Sequence, residues 1–240
     1  MKLVLLGHTR SGTTSIWTFF KKHPEVSVSV SKEFILENLY DLSNFVEDAF
    51  CIHNQTKVLL DGSPDLFYSD RIDLVLDSIK KYPIINEVVL IYSIREAIEH
   101  LISVTNASIR RYLNGHTQEC NFLDEKMNIN KEKFHFFCQK YLNHHYNYLI
   151  TAEKKIGRKN LFLVNLSDFE RKQLEIFNFL DISTNKIYKF PKINTSWELG
   201  YTFNQLKLKS QTIKLINDKR DEYEAIIQKN EQKRKERYGI

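Results

Sequence analysis

Near the start of the chain, Gly7-His8-Thr9-Arg10-Ser11-Gly12-Thr13-Thr14 places two glycines on either side of four residues, with a run of hydroxyls after them and Arg10 as the nearest cation. A strand-like run, Met1-Lys2-Leu3-Val4-Leu5-Leu6, precedes this stretch, and a helical pattern with Ile16, Phe19 and Phe20 on one side follows it. Strand, glycine-bounded loop and helix is the layout in which backbone N–H groups and a helix N-terminus face an anion. The stretch has the outline of a Walker A loop, but Thr13 stands where the Walker lysine would reach terminal phosphates. A magnesium-dependent nucleoside triphosphatase needs that lysine and a later acidic residue for the metal. The loop is therefore expected to hold a phosphate-like group by its backbone, its hydroxyls and Arg10. A glycine-bounded turn can also be plain scaffold, and the hydroxyl run behind the second glycine favours the anion.

Three further groups could take part in chemistry: Lys32-Glu33, Asp61-Gly62-Ser63-Pro64-Asp65, and Arg95 with Ser103. Each follows a strand signal. Val26 to Val30 alternates with period two, Lys57-Val58-Leu59-Leu60 is a short apolar run, and Val88-Val89-Leu90-Ile91-Tyr92 reads as a strand buried on both faces. Arg95 and Ser103 are eight positions apart, roughly two turns of helix, so they share a face and can hold a second phosphate. Each group also has a plainer reading. Arg95 can simply pair with Glu99, Ser103 can be a small packing residue, and Lys32-Glu33 can be an exposed charged pair.

The elements that must position these groups follow in order. Asp70 to Lys81 reads as a helix, as does the segment after Arg95 with Ile98, Leu101, Ile102, Thr105 and Ile109. Residues 115–130 are polar and without pattern, Lys131 to Lys155 is a long helix that Gly157 can end, and Leu161 to Val164 is a fifth strand. Ser167 or Asp168 is expected to cap the helix that runs to Leu180. A charged helical extension is expected over about 204–240. The resulting fold class is α/β, with a mostly parallel five-stranded sheet flanked by helices, in one domain over 1–240. In such sheets ligands sit at the carboxyl ends of the strands, which would gather all four groups in one cleft.

Composition narrows the function. The chain has 240 residues, 42% apolar and 27% charged, with a net charge of +5. This is an ordinary globular balance with a mild preference for anions. The cations are dispersed and give no nucleic-acid footprint. Cys51, Cys120 and Cys138 are widely spaced, without a metal-binding or disulfide pattern. With no signal-peptide pattern and no transmembrane-length apolar run, the expected location is cytoplasmic, with at most a peripheral association with a membrane surface.

Together the motifs resemble those of sulfotransferases that use 3′-phosphoadenosine 5′-phosphosulfate (PAPS). The match runs from the loop through His23-Pro24-Glu25-Val26 and Lys32-Glu33, then Asp61 to Leu66, Arg95 to Ser103, and Gly157 to Leu180, a motif core over about 1–181. The nearest likeness is to the carbohydrate and heparan-sulfate branch. The resemblance implies that Ser11, Gly12, Thr13, Thr14 and Ser15 cradle the 5′-phosphosulfate and that Arg10 meets charge on the bridging oxygen. It implies that Glu33 is the general base on an acceptor hydroxyl, with Lys32 beside it on the sulfuryl oxygens, and that Arg95 and Ser103 hold the 3′-phosphate. The product would be adenosine 3′,5′-bisphosphate, no metal is expected, and the acceptor would be a carbohydrate, glycolipid or small molecule. Gly62 stands where that branch usually has lysine, and Ala97 and His100 replace the proline and second arginine of the 3′-phosphate element. A P-loop kinase and a non-catalytic nucleotide-binding relative are the alternatives.

Overall fold

A computed structural model describes residues 1–68, 71–95, 97–113, 121–123 and 130–191, with isolated helical positions at 218, 221, 225 and 232. Most of the 115–130 segment and nearly all of the expected extension over 204–240 lie outside the described residues. The chain forms two compact units: Met1–Ile94 with Tyr148–Asn194, and a second whose described part lies mainly within Arg95–Asn147.

The first unit is built on five strands: β1 (Lys2–Gly7), β2 (Val26–Val28), β3 (Val58–Asp61), β4 (Glu87–Ile94) and β5 (Leu161–Asn165). They lie in the order β2-β3-β1-β4-β5, and every neighbouring pair is parallel. The five-stranded α/β expectation therefore holds. β1 is buried from Leu3 onward, as a central parallel strand covered on both faces must be. Alternation sends Val4 and Leu6 to one face, where they join Ile16, Phe19, Phe20, Phe169, Ile176 and Phe177 in a core cluster. There the Phe19 ring meets Phe20 and Phe169 edge-on, with centroids 5.2 and 5.4 Å apart.

Helices α1 (Thr13–Phe20), α2 (Phe34–Glu37), α3 (Phe45–Ala49), α4 (Arg71–Ile79) and α7 (Gln173–Leu180) belong to this unit, as does the end of α6 (Lys131–Ile156) from Tyr148 onward. Gly157, at φ 80°, ends α6 as expected. Two boundaries differ from the sequence reading. β2 stops at Val28, and the Ser29 and Val30 amides bond instead to Leu60 O and Ala49 O, both at 2.9 Å. Ser167 and Asp168 do not cap α7. They lie in a 3₁₀ turn over Leu166–Asp168, and α7 starts only at Gln173 after Lys172. Burial of Phe169 in the core explains the delay, because the chain must first turn that ring inward. In the second unit α5 (Ala97–Leu113) buries Leu101, Val104 and Ile109. No helix among the described residues is long and apolar enough to cross a membrane.

Candidate functional site

The order of the strands changes direction at β1, which has β3 on one side and β4 on the other. The carboxyl end of such a strand opens onto the crevice where ligands bind in doubly wound sheets. The loop of Gly7 to Gly12 occupies that position. Gly12 stands immediately before α1 at φ 85°, a left-handed backbone that suits glycine. A Cβ placed there would be strained by the backbone and would come within 2.6 Å of Leu166 Cδ1, so the Leu166 side chain would have to move. No side chain caps α1 and no acidic residue stands in its first turn. The amides of Thr13 and Thr14 have no partner within the helix, as in any first turn, and carry the positive end of its dipole.

Inside the loop the hydroxyls divide. Ser11 is fully buried and turned inward. Its Oγ donates to His8 O at 2.5 Å and accepts from His8 N at 2.9 Å, while Ser93 Oγ donates to Ser11 O at 2.5 Å. Ser11 thus fastens the loop to β4, and Ser93 of β4 is an anchor of the loop that the sequence reading missed. Thr13 and Ser15 are buried at the head of α1 and Thr14 is half-buried. His8 is fully buried, with its Nε2 against the Tyr68 hydroxyl.

Lys32 and Glu33 follow β2 and start α2. Lys32 Nζ lies 2.5 Å from Glu33 Oε1, with the two side chains 20% and 37% exposed. The turn after β3 fixes this pair from below. Gly62 N donates to Lys32 O at 2.8 Å, Ile35 N to Asp61 Oδ2 at 3.3 Å, and Leu36 N to Ser63 Oγ at 3.0 Å. Asp61 and Ser63 thereby satisfy first-turn amides of a helix too short to hold itself. The same packing explains the absent lysine at Gly62. A Cβ there would lie 2.7 Å from the Lys32 carbonyl and 2.8 Å from Lys32 Cγ, so the Lys32 backbone and stem occupy the space.

Two carboxyls of this turn are held in unfavourable surroundings. Burial pushes Asp61 up to about 6, against hydrogen bonds from Ser63, Ser29 and Ile35 that favour its charge. Asp65 is pushed up to about 6 by burial and by the Glu33 carboxylate, with Arg71, Lys32 and a hydrogen bond from the Thr9 amide opposing. Asp65 Oδ1 and the Tyr148 hydroxyl are buried without a hydrogen-bond partner.

The structure brings Arg10, Ser11, Gly12, Thr13, Thr14, Ser15, Lys32 and Glu33 to the carboxyl edge of one sheet. Arg95 and Ser103 belong to the second unit. There Arg95 Nε donates to Glu99 Oε2 at 3.3 Å, the plainer of its two sequence readings, and Ser103 is buried on α5. Among the described residues no group of three His, Cys, Asp or Glu is arranged to hold a metal.

No protein-family model matches the chain, and no curated protein matches it in sequence. Among solved structures, a sulfotransferase from Alicyclobacillus acidocaldarius superposes with a TM-score of 0.60 over 94% of this chain and 95% of that one, at 14% identity. The sulfotransferase domain of the Synechococcus PCC 7002 olefin synthase aligns with a TM-score of 0.46 over 87% and 83% of the two chains, at 14% identity. A sulfotransferase from Mycobacterium avium aligns with a TM-score of 0.41 over 76% and 64%, also at 14% identity. The first of these shows a fold shared along nearly the whole length of both chains.

Proposed function

We propose that this chain is a sulfotransferase that moves the sulfuryl group of 3′-phosphoadenosine 5′-phosphosulfate to a hydroxyl of a carbohydrate, glycolipid or small-molecule acceptor. The observation that carries the reading is the lysine-less glycine loop at the head of α1, at the carboxyl end of the central strand of a fold shared with a sulfotransferase.

The residues present fit the donor's 5′ group. A left-handed glycine at the turn into α1, an uncapped helix N-terminus and a first turn without acids all favour a bound anion. In the proposed reaction the loop amides and the hydroxyls of Thr13, Thr14 and Ser15 hold the phosphosulfate. Ser11, engaged inward, contributes backbone and rigidity. Glu33 takes the proton of the acceptor hydroxyl as that oxygen bonds to sulfur. The bond from sulfur to the bridging phosphate oxygen breaks, Arg10 meets the charge that develops there, and adenosine 3′,5′-bisphosphate is released. Lys32 screens the sulfuryl oxygens. A sulfuryl group carries less charge than a terminal phosphoryl group, so fixed protein charge and positioning can serve where kinases add a metal clamp. Arg95 and Ser103 are assigned to the 3′-phosphate on the sequence resemblance alone. For Arg95 that role requires exchange of its Glu99 partner for the ligand.

The test is a transfer assay of the purified full chain with sulfur-labelled donor and a panel of sugar and glycolipid acceptors. Label should pass to an acceptor without added metal, and Glu33→Gln should lower turnover by about 10²–10⁴-fold. Unchanged turnover in Glu33→Gln would contradict its role as base.

A further inference from the structure

Arg10 is a non-glycine residue at φ 62°. The left-handed region disfavours a side-chain-bearing residue, and such backbone persists where its surroundings over-determine it. Here the determination comes from residues to which the proposed reaction gives no part.

His8 is fully buried, and its ring packs edge-on against Tyr68, Tyr92 and Tyr148, with centroids 5.5, 6.4 and 5.6 Å away. Its Nδ1 lies 2.8 Å from the Thr9 carbonyl, and its Nε2 meets the Tyr68 hydroxyl. A carbonyl only accepts, so Nδ1 carries a proton and donates to Thr9; in the neutral ring Nε2 then accepts the Tyr68 O–H. The Thr9 carbonyl belongs to the peptide plane from which the φ of Arg10 is measured, so fixing its direction fixes half of that angle. On the other side of Thr9, its N–H gives a hydrogen bond to the Asp65 carboxylate. Asp65 is carried on the turn that also braces Lys32 and Glu33. Both peptide groups of Thr9 are therefore held, one from beneath the loop and one from the turn after β3.

We propose that His8, Tyr68 and Asp65 form a clamp on Thr9 that holds Arg10 in its left-handed conformation, which makes them positioning residues for the transfer step. The proposal rests on the reading of Arg10 as the residue that meets the leaving oxygen. It differs from a general structural role in acting on turnover more than on donor affinity, and in acting only through Arg10.

The experiment is a set of double-mutant cycles on the full chain, reading kcat and the donor KM. His8→Phe keeps a ring among the tyrosines and removes the Nδ1 donor, and Asp65→Ala removes the acceptor for the Thr9 N–H. Each is expected to lower kcat about 10–100-fold while donor KM moves less than about threefold. Asp65→Asn, which keeps an accepting oxygen, should lose less than Asp65→Ala. In an Arg10→Ala background neither change should cost more than about twofold further. Losses that multiply with Arg10→Ala, or a raised KM with unchanged kcat, would overturn the clamp. A wild-type chain that transfers no sulfuryl group contradicts the functional reading instead, and the clamp is then decided by hydrogen exchange at the Arg10 amide. Exchange about tenfold faster in both His8→Phe and Asp65→Ala supports it, and exchange equal to wild type overturns it.

Discussion

The two edges of the sheet are made from the same five strands and hold their charges in opposite ways. At the amino edge Lys2 lies 2.8 Å from Asp181 and 3.6 Å from Glu87, and Lys57 lies 2.8 Å from Glu25. Charge there is matched and reachable by water. At the carboxyl edge two carboxyls are buried and pushed up to about 6, and the first turn of α1 is uncapped. A left-handed non-glycine residue occurs at both edges, Arg10 at this one and Asp181 at the other. Nothing in a parallel ladder requires this asymmetry. Unfavourable local choices gathered at one edge mark the place where the fold is arranged for something other than its own stability.

The contrast between the two edges is greatest at Arg10. Arg10→Ala should lower transfer by about 10²–10³-fold, the loss seen when one preorganised charge-stabilising donor is removed. Steady-state kcat measures it, and full retained activity would remove the carboxyl edge's main distinction. Gly12→Ala forces a Cβ into both a left-handed backbone and the Leu166 side chain, and should destabilise the fold by about 2–4 kcal/mol in urea titration. Adding Leu166→Ala should relieve the steric share and leave the backbone share.

The buried carboxyl offers a subtler test. Asp65 titrates at about 6 rather than 3.8, so its ionised form is disfavoured by folding. The penalty is absent below about pH 4, grows as pH rises, and is complete above about pH 6. Asp65→Asn should therefore raise stability at pH 7 by on the order of 2 kcal/mol and flatten the pH dependence of unfolding between those values. Equal stability of the two proteins at pH 4 and at pH 7 would contradict the burial argument. The smallest effect belongs to the other edge. Asp181→Asn removes one partner of an exposed ion pair and should change stability by less than about 1 kcal/mol, with kcat unaltered.

Much of this architecture can be read from the sequence, because β1, the loop and α1 are contiguous and their apolar periods differ. The strands follow from short apolar runs such as Val88 to Tyr92, and β2 from the period-two alternation after Val26. The candidate residues after β1 and β2 follow too, since parallel strands deliver their next residues to one edge. What could not be read depends on distant partners. The clash that excludes a side chain at Gly62 comes from the Lys32 backbone, thirty positions earlier. The Ser11 hydroxyl turns inward in a loop fastened by Ser93 on β4, and His8 is enclosed by tyrosines from three separate segments. The late start of α7 follows from core demand at Phe169, which overrides the capping propensity of Ser167 and Asp168.

The proposed function requires the chain to bind a 3′-phosphorylated adenylyl donor without a metal. Calorimetric titration of the full chain with adenosine 3′,5′-bisphosphate and with ADP, each with and without magnesium, tests it most directly. Metal-independent binding that favours the bisphosphate by about tenfold or more and weakens in Arg95→Ala is expected. Equal affinity for the two nucleotides, or ADP binding that requires magnesium, would contradict it and point to phosphoryl transfer instead.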